Sequence, residues 1–353
     1  TGPSTTSVGG ESVTNGPGST AIGWQSAATA ERAQAFGHLA TAQGVRSMAI
    51  GENADAQSDL STAIGNEAIA NGTDALAIGD TASATGPSTT SVGGESVTNG
   101  PGSTAIGWQS AATAERAQAF GHLATAQGVR SLAVGENADA QSDNATAIGN
   151  EAIANGIDAI ALGDTSIAEG PSTTALGGES VAMGPGATAV GWQSMATAER
   201  AQAFGHLASA TGIRSTAVGE GATASGDRSL SFGNLASATA ANSVAIGNGA
   251  TATRANQVSV GNAQNTYTFA GIGSAESEAA QTGGVGFVTS DADGNLAVNY
   301  GASGTLGALD RGVAANQAAI SRNEDAISEN RDRIQSNKEG IAMAMALSTP
   351  YVP

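Results

Sequence analysis

Trp and His occur only three times each in this 353-residue chain. They recur as Trp24/His38, Trp108/His122 and Trp192/His206, fourteen residues apart each time. Glu52, Glu136 and Glu220 follow each His at the same interval. An imidazole beside a carboxylate is the minimum set for acid–base chemistry. An exposed Trp is a common anchor for a binding partner. Little else here supports catalysis. There is no Cys, and no G-x-S-x-G stretch that would present a serine nucleophile. One His and one Glu make a poor ligand set for a metal. We therefore expect no catalytic residue and no metal site. The three Trp and three His stay as candidate ligand platforms. Against this stands a structural reading, in which Trp shields a corner and His and Glu form a surface ladder.

The spacing of fourteen runs through most of the chain. An aliphatic residue or Phe precedes Gly at Val8-Gly9, Ile22-Gly23, Phe36-Gly37, Ile50-Gly51 and onward to Val260-Gly261, which makes nineteen coils without insertion. A longer period of 84 overlies it: TGPSTTSVGGESVTNGPGSTAIGWQS begins at Thr1 and again at Thr85, with a drifting third copy from Glu169. Internal periods of this kind signal a solenoid. Such strict spacing is hard to explain with helices, because a Gly recurring every fourteen residues, about every fourth turn, would cost about 1 kcal/mol each. Local alternation has period two instead: Met48 shares a face with Ile50, Leu76 with Ile78, and Val244 with Ile246. Small residues follow each Gly at the third and fifth positions, as at Ala54 and Ala56. Each coil thus reads strand, turn, strand, turn. We expect the large residues to point inward, facing the small ones. Coils about 4.8 Å apart would give a stack of roughly 90 Å. The column after each Gly would carry Trp24, His38, Glu52, Asn66, Asp80 and Gly94 on one corner. So thin a roll is expected to associate with further copies.

Composition limits the partners. The net charge of −18 leaves nothing to neutralise phosphates, which argues against nucleic acid and against adsorption to anionic lipid. No run of apolar residues is long enough for a membrane helix. The chain opens in mid-repeat without a signal peptide, as expected for a piece of something longer. An ice-binding array would need a regular Thr column. The position two before the strand aliphatic reads Thr20, Gln34, Met48, Thr62, Leu76, which argues against one.

From Leu306 the period becomes seven. Val313, Ile320, Ile327, Ile334 and Ile341 occupy heptad position a, and Asn316, Asn323, Asn330 and Asn337 occupy d. This predicts a coiled coil over 306–347. Four core Asn layers are costly unless their polar groups are satisfied. Between roll and coil, residues 263–305 read as a connector, with a β-hairpin over Phe287–Tyr300 turned at D-G-N. Asp291, Asp293 and Asn295 imitate a calcium loop, but no Glu follows at the required spacing.

NSVAIGNGATAT at Asn242–Thr253 and STAIGNEAIANG at Ser61–Gly72 resemble the head repeat of the trimeric autotransporter adhesins, the YadA-like family. The resemblance implies a mainly β fold: a homotrimeric, left-handed parallel β-roll head over 1–262, a neck over 263–305, a parallel trimeric coiled-coil stalk over 306–347, and the start of a membrane anchor at 348–353. It implies that Asn316, Asn323, Asn330 and Asn337 hold chloride on the stalk axis. It also implies a bacterial surface adhesin, tethered to the outer membrane by an anchor that follows, with an extracellular ligand or surface as partner. Two alternatives stand beside it, a non-binding spacer of a longer fibre and a phage tail fibre.

Overall fold

A computed structural model of the chain describes residues 2–283 and 286–348. It contains two compact units, residues 1–265 and 266–353. The first unit is a parallel β-solenoid. Each coil but the last supplies a three-residue strand to a first sheet and a two-residue strand to a second. The first sheet has nineteen strands, from Thr6–Val8 to Val258–Val260. The second runs from Val13–Thr14 to Thr251–Ala252. Pairing always joins residues fourteen apart, as Met48 to Thr62 and Asp55 to Ile69. No coil is longer or shorter than its neighbours.

The coil is two similar halves of seven residues. Each half contains a corner residue in the left-handed region, such as Leu39 (φ 57°) and Arg46 (φ 60°). After each corner come two inward positions separated by one outward position. In one coil the inward set is Ala40, Ala42, Ser47 and Ala49, all buried, with Thr41 and Met48 between them only partly buried. The corners are hydrogen-bonded from coil to coil as the strands are. Arg46 N–H donates to Glu31 O at 2.9 Å and Asn53 N–H to His38 O at 2.8 Å, alongside Met48 N–H to Ser61 O at 2.9 Å. Every coil is therefore tied to the next around its perimeter.

The expected orientation of the strands is corrected here. The large aliphatics do share a face, but it is the outer one. The side chain between them is the buried one: Ala49 between Met48 and Ile50, Ala77 between Leu76 and Ile78. The buried apolar core consists of Ala alone, supplemented by Ser and Thr. Two strands joined by corners of this tightness leave an interior too narrow for a branched side chain. The inward hydroxyls bond locally where they bond at all. Ser26 Oγ donates to Gly23 O at 3.0 Å and Ser61 Oγ to Ser58 O at 2.6 Å. Ser47, Ser131 and Ser215 keep buried hydroxyls without a partner.

The outer face of the first sheet consequently carries an aliphatic or Phe column from Val8 to Val260, beside a column of Thr, Gln and aliphatics. Neither column contains a charged residue. Ile22, Ile106, Leu176 and Phe232 lie 40%, 42%, 40% and 54% exposed, so the roll does not cover this face itself.

In the second unit, a short helix α1 (Ala275–Ala279) precedes an antiparallel hairpin, Phe287–Ser290 with Leu296–Asn299. The Asp291 carboxylate is engaged by the turn: it accepts from the Asp293 and Asn295 N–H groups at 3.0 and 2.8 Å and from Asn295 Nδ2 at 2.8 Å. Helix α2 spans Gly301–Leu347 and begins inside the segment read as connector. Its seven-residue stripe, Val313, Ile320, Ile327, Ile334 and Ile341, is exposed throughout. The expected start of an anchor at 348–353 falls outside the described residues beyond Ser348.

The orientation of the strands is testable. Ala49→Leu should destabilise the roll by about 3 kcal/mol, because the interior offers no volume for it. The combined Ser47→Ala, Ser131→Ala and Ser215→Ala variant should be neutral or slightly stabilising, since no bond is lost and a buried polar atom is removed. Chemical denaturation of both variants checks the pair. If Ala49→Leu were tolerated, that position would have to lie outside.

Candidate functional site

The column after each strand glycine lies on one corner of the roll. The chain passes there through the glycine (φ +139° at Gly23), then a left-handed residue (φ 55° at Gln25), so the residue between them projects outward. Because coils are in register, this residue stacks on its counterparts fourteen positions away. Trp24 and His38 are thereby brought together, with ring centroids 5.0 Å apart and planes at 23°. Trp108/His122 and Trp192/His206 repeat the stack at 5.0 Å, with planes at 20° and 18°. Each His turns Nδ1 to the next residue of the column. His38, His122 and His206 approach Oε1 of Glu52, Glu136 and Glu220 at 3.2, 3.1 and 3.4 Å. The ladder continues with Asn66 Nδ2 donating to Asp80 Oδ1 at 2.8 Å, and Asn150 to Asp164 at 2.9 Å. In the drifted third copy position 248 is Asn, and Asn234 turns back to Glu220 Oε2 at 3.3 Å.

The other face of each Trp rests on a glycine. A Cβ on Gly10, Gly94 or Gly178 would lie 2.9, 3.1 or 3.2 Å from Cδ1 of Trp24, Trp108 or Trp192. The indole is therefore stacked on an imidazole, with its Cδ1–Nε1 edge close against a glycine of the preceding coil. Half of each Trp surface remains exposed. This arrangement presents an aromatic edge with a carboxylate two coils along. The His–Glu pair stands on an open corner, with its imidazole and carboxylate both solvent-exposed.

A shallow groove lies on the outer side of the second sheet, between Leu123, Thr125, Asp139, Glu151, Ile153 and Ile167. It contains no Trp or His, and Asp139 Oδ1 is already occupied by Thr125 Oγ1 at 2.7 Å. The four stalk Asn are not brought together within one chain. Asn316, Asn323, Asn330 and Asn337 lie along α2, all exposed, at heptad intervals of about 10.5 Å.

The glycine seat predicts a spectroscopic effect. In a Trp24→Phe, Trp192→Phe background, Trp108 is the sole indole. Gly94→Ala should lift Trp108 from its seat, shift its emission to the red and cost about 1 kcal/mol, the worth of an aromatic stack. Unchanged emission would show that the seat does not hold the ring.

Comparison with known proteins adds the lineage. The YadA head domain repeat (two copies) matches residues 1–26, 28–54, 56–82, 84–110, 112–138, 126–152, 154–180, 182–208, 210–236, 225–250 and 238–262. Among solved structures, the collagen-binding domain of the Yersinia adhesin YadA is similar at 16% identity, over 65% of this chain and 73% of that one, with a TM-score of 0.16. No curated protein matches. Repeat matches that run from residue 1 to residue 262 show that the chain belongs to the YadA head-repeat family.

Proposed function

We propose that this chain is the head and stalk of a homotrimeric adhesin displayed at a bacterial cell surface, tethered to the outer membrane in the manner of its family. One observation carries the reading. A chain of net charge −18 keeps a nineteen-strand sheet face free of any charged side chain, and lines it with aliphatics of which Val8, Ile22, Ile106, Leu176 and Phe232 stand exposed. A contiguous apolar surface of that extent marks an interface. The exposed aliphatic stripe of α2 makes the same demand in the second unit. Three copies satisfy both, and the family resemblance supplies the number.

The action is mechanical and multivalent, with no catalytic step and no metal. Identical corners recur every 84 residues, which is about 29 Å at the usual strand spacing. Three chains would present nine Trp–His–Glu corners, and weak contacts so arrayed gain avidity without any single strong site. A second reading, a spacer that holds out a more distal tip, draws on the near-identity of the first two 84-residue copies. Duplication of that kind lengthens a rod without creating a new contact.

In the stalk, Asn316, Asn323, Asn330 and Asn337 face the axis between aliphatic layers, and we assign chloride to the Asn rings. Three inward amides satisfy an anion with N–H donors in a core that would otherwise leave them unpaired.

Two measurements test these assignments. Immobilised collagen, other matrix proteins and abiotic surfaces should retain the native chain, and Trp24→Ala/Trp108→Ala/Trp192→Ala should show whether the corners contribute. Failure to bind any of them would leave the spacer. Crystals grown in bromide should show anomalous peaks at the Asn323 and Asn330 layers on the three-fold axis, whereas layers holding only water would remove the anion.

A further inference from the structure

The groove on the outer side of the second sheet owes its shape to one residue. Eight of its nine lining side chains recur unchanged 84 residues earlier, and the ninth, Ile167, has Ser83 as its counterpart. Parallel stacking places Ile153 against Ile167, Ile167 against Val181, and Val181 against Met195. One period earlier the same column reads Ile69, Ser83, Val97 and Ala111. Ile69, beside a serine, stands 39% exposed, whereas Ile153, beside an isoleucine, is partly buried. The change from Ser to Ile therefore joins separate aliphatics into one apolar strip, about 14 Å long at the usual coil spacing.

The strip has an acidic rim. Glu151 stands two residues before Ile153 and Glu169 two residues after Ile167, so carboxylates flank the column on both sides. The earlier period has Glu67 and Thr85 at these places. Among the described residues, the carboxylates of Glu151 and Glu169 have no hydrogen-bond or ion-pair partner. Asp139 lies at the end of the strip next to Ile153, and its carboxylate accepts from Thr125 Oγ1 and Gln141 Nε2. No Arg, Lys or His lines the groove.

We infer that this strip binds an extended, cationic polypeptide segment of mixed aliphatic and basic residues. Aliphatic side chains of the segment cover Ile153, Ile167 and Val181, and basic ones reach Glu151 and Glu169. Five extended residues span about 17 Å, enough to cover the strip. Apolar contact supplies the affinity, while the rim charges select the partner and set its register. Two other occupants fit less well. A second copy of this chain would bring its own net charge of −18 to the same acidic rim, and an anionic lipid surface is repelled for the same reason. The inference deepens the adhesive reading proposed above, on which it rests for its purpose, by naming a ligand class. The site itself is complete within one chain.

Three labelled pentapeptides, acetylated and amidated, test this on the full chain at physiological salt: Lys-Leu-Lys-Leu-Lys, Lys-Ser-Lys-Ser-Lys and Glu-Leu-Glu-Leu-Glu. Anisotropy titration should show saturable binding of the first alone, at one peptide per chain. Ile167→Ser should weaken that binding about tenfold, the worth of one lost aliphatic contact. Ser83→Ile with Thr85→Glu should build a second site and raise the stoichiometry to two, a gain that no misfolded chain would give. Equal binding of either control peptide would overturn the inference, because charge alone or apolar contact alone would then suffice. An Ile167→Ser chain that binds like the unmodified one, a stoichiometry that stays at one, or no binding of Lys-Leu-Lys-Leu-Lys at millimolar concentration would each overturn it too. If immobilised matrix proteins or surfaces still retain the chain in those cases, the adhesive reading stands without the groove.

Discussion

The structure depends on a column of glycines. From Gly9 to Gly233, an added Cβ would lie 2.2–2.7 Å from the carbonyl oxygen of the glycine fourteen residues on. Their φ angles, 125–141°, lie where L side chains rarely go. At this corner the chain turns from the first sheet to the second so tightly that successive coils touch backbone to backbone. Such contact permits neither a side chain nor a change of period. The fixed coil of fourteen residues, the unbroken register and the narrow interior all follow.

The narrow interior sets where the apolar material goes. Four inward positions per coil admit Ala, Ser or Thr, each of which buries little area. At about 25 cal/mol per Å² such a core contributes much less than a Leu-rich one of equal length. Coil-to-coil hydrogen bonds and nearest-neighbour stacking hold the roll together, as in other solenoids. Ile, Leu, Val and Phe are left for the outside, on one face, where they stabilise only what another molecule covers. The fold and the need for partners thus have one cause.

Much of this was legible in the sequence, for reasons that also explain what was not. The period of fourteen and the alternation of two are read directly, because parallel stacking places like residues on like. The Trp24–His38–Glu52 contact was legible as a column for the same reason. The heptads of Val313 to Ile341 marked a helix, since glycine is scarce there and the stripe regular. Inside and outside were confused. Alternation says that Met48 and Ile50 share a face, not which face is buried, and the usual preference for large residues inside points the wrong way here. The clue lay in variance. Between the first two copies, inward positions exchange only Ala and Ser, at Ser61/Ala145 and Ala82/Ser166, while the strand aliphatic runs Ile22, Phe36, Ile50 along successive coils. A closed interior could not alternate Ile and Phe at a spacing of about 4.8 Å. The role of Gly10, Gly94 and Gly178 as a seat for Trp was hidden because glycine is common on every corner.

The most direct test is a single methyl group on the glycine column. Gly135→Ala in the full chain places a Cβ about 2.3 Å from Gly149 O at φ +131°. Native-state hydrogen exchange, read by peptide, should show protection lost in the coils on either side of residue 135, with the distant coils near Thr20 and Val244 unaffected. An exchange pattern and melting curve indistinguishable from the unmodified chain would contradict the account.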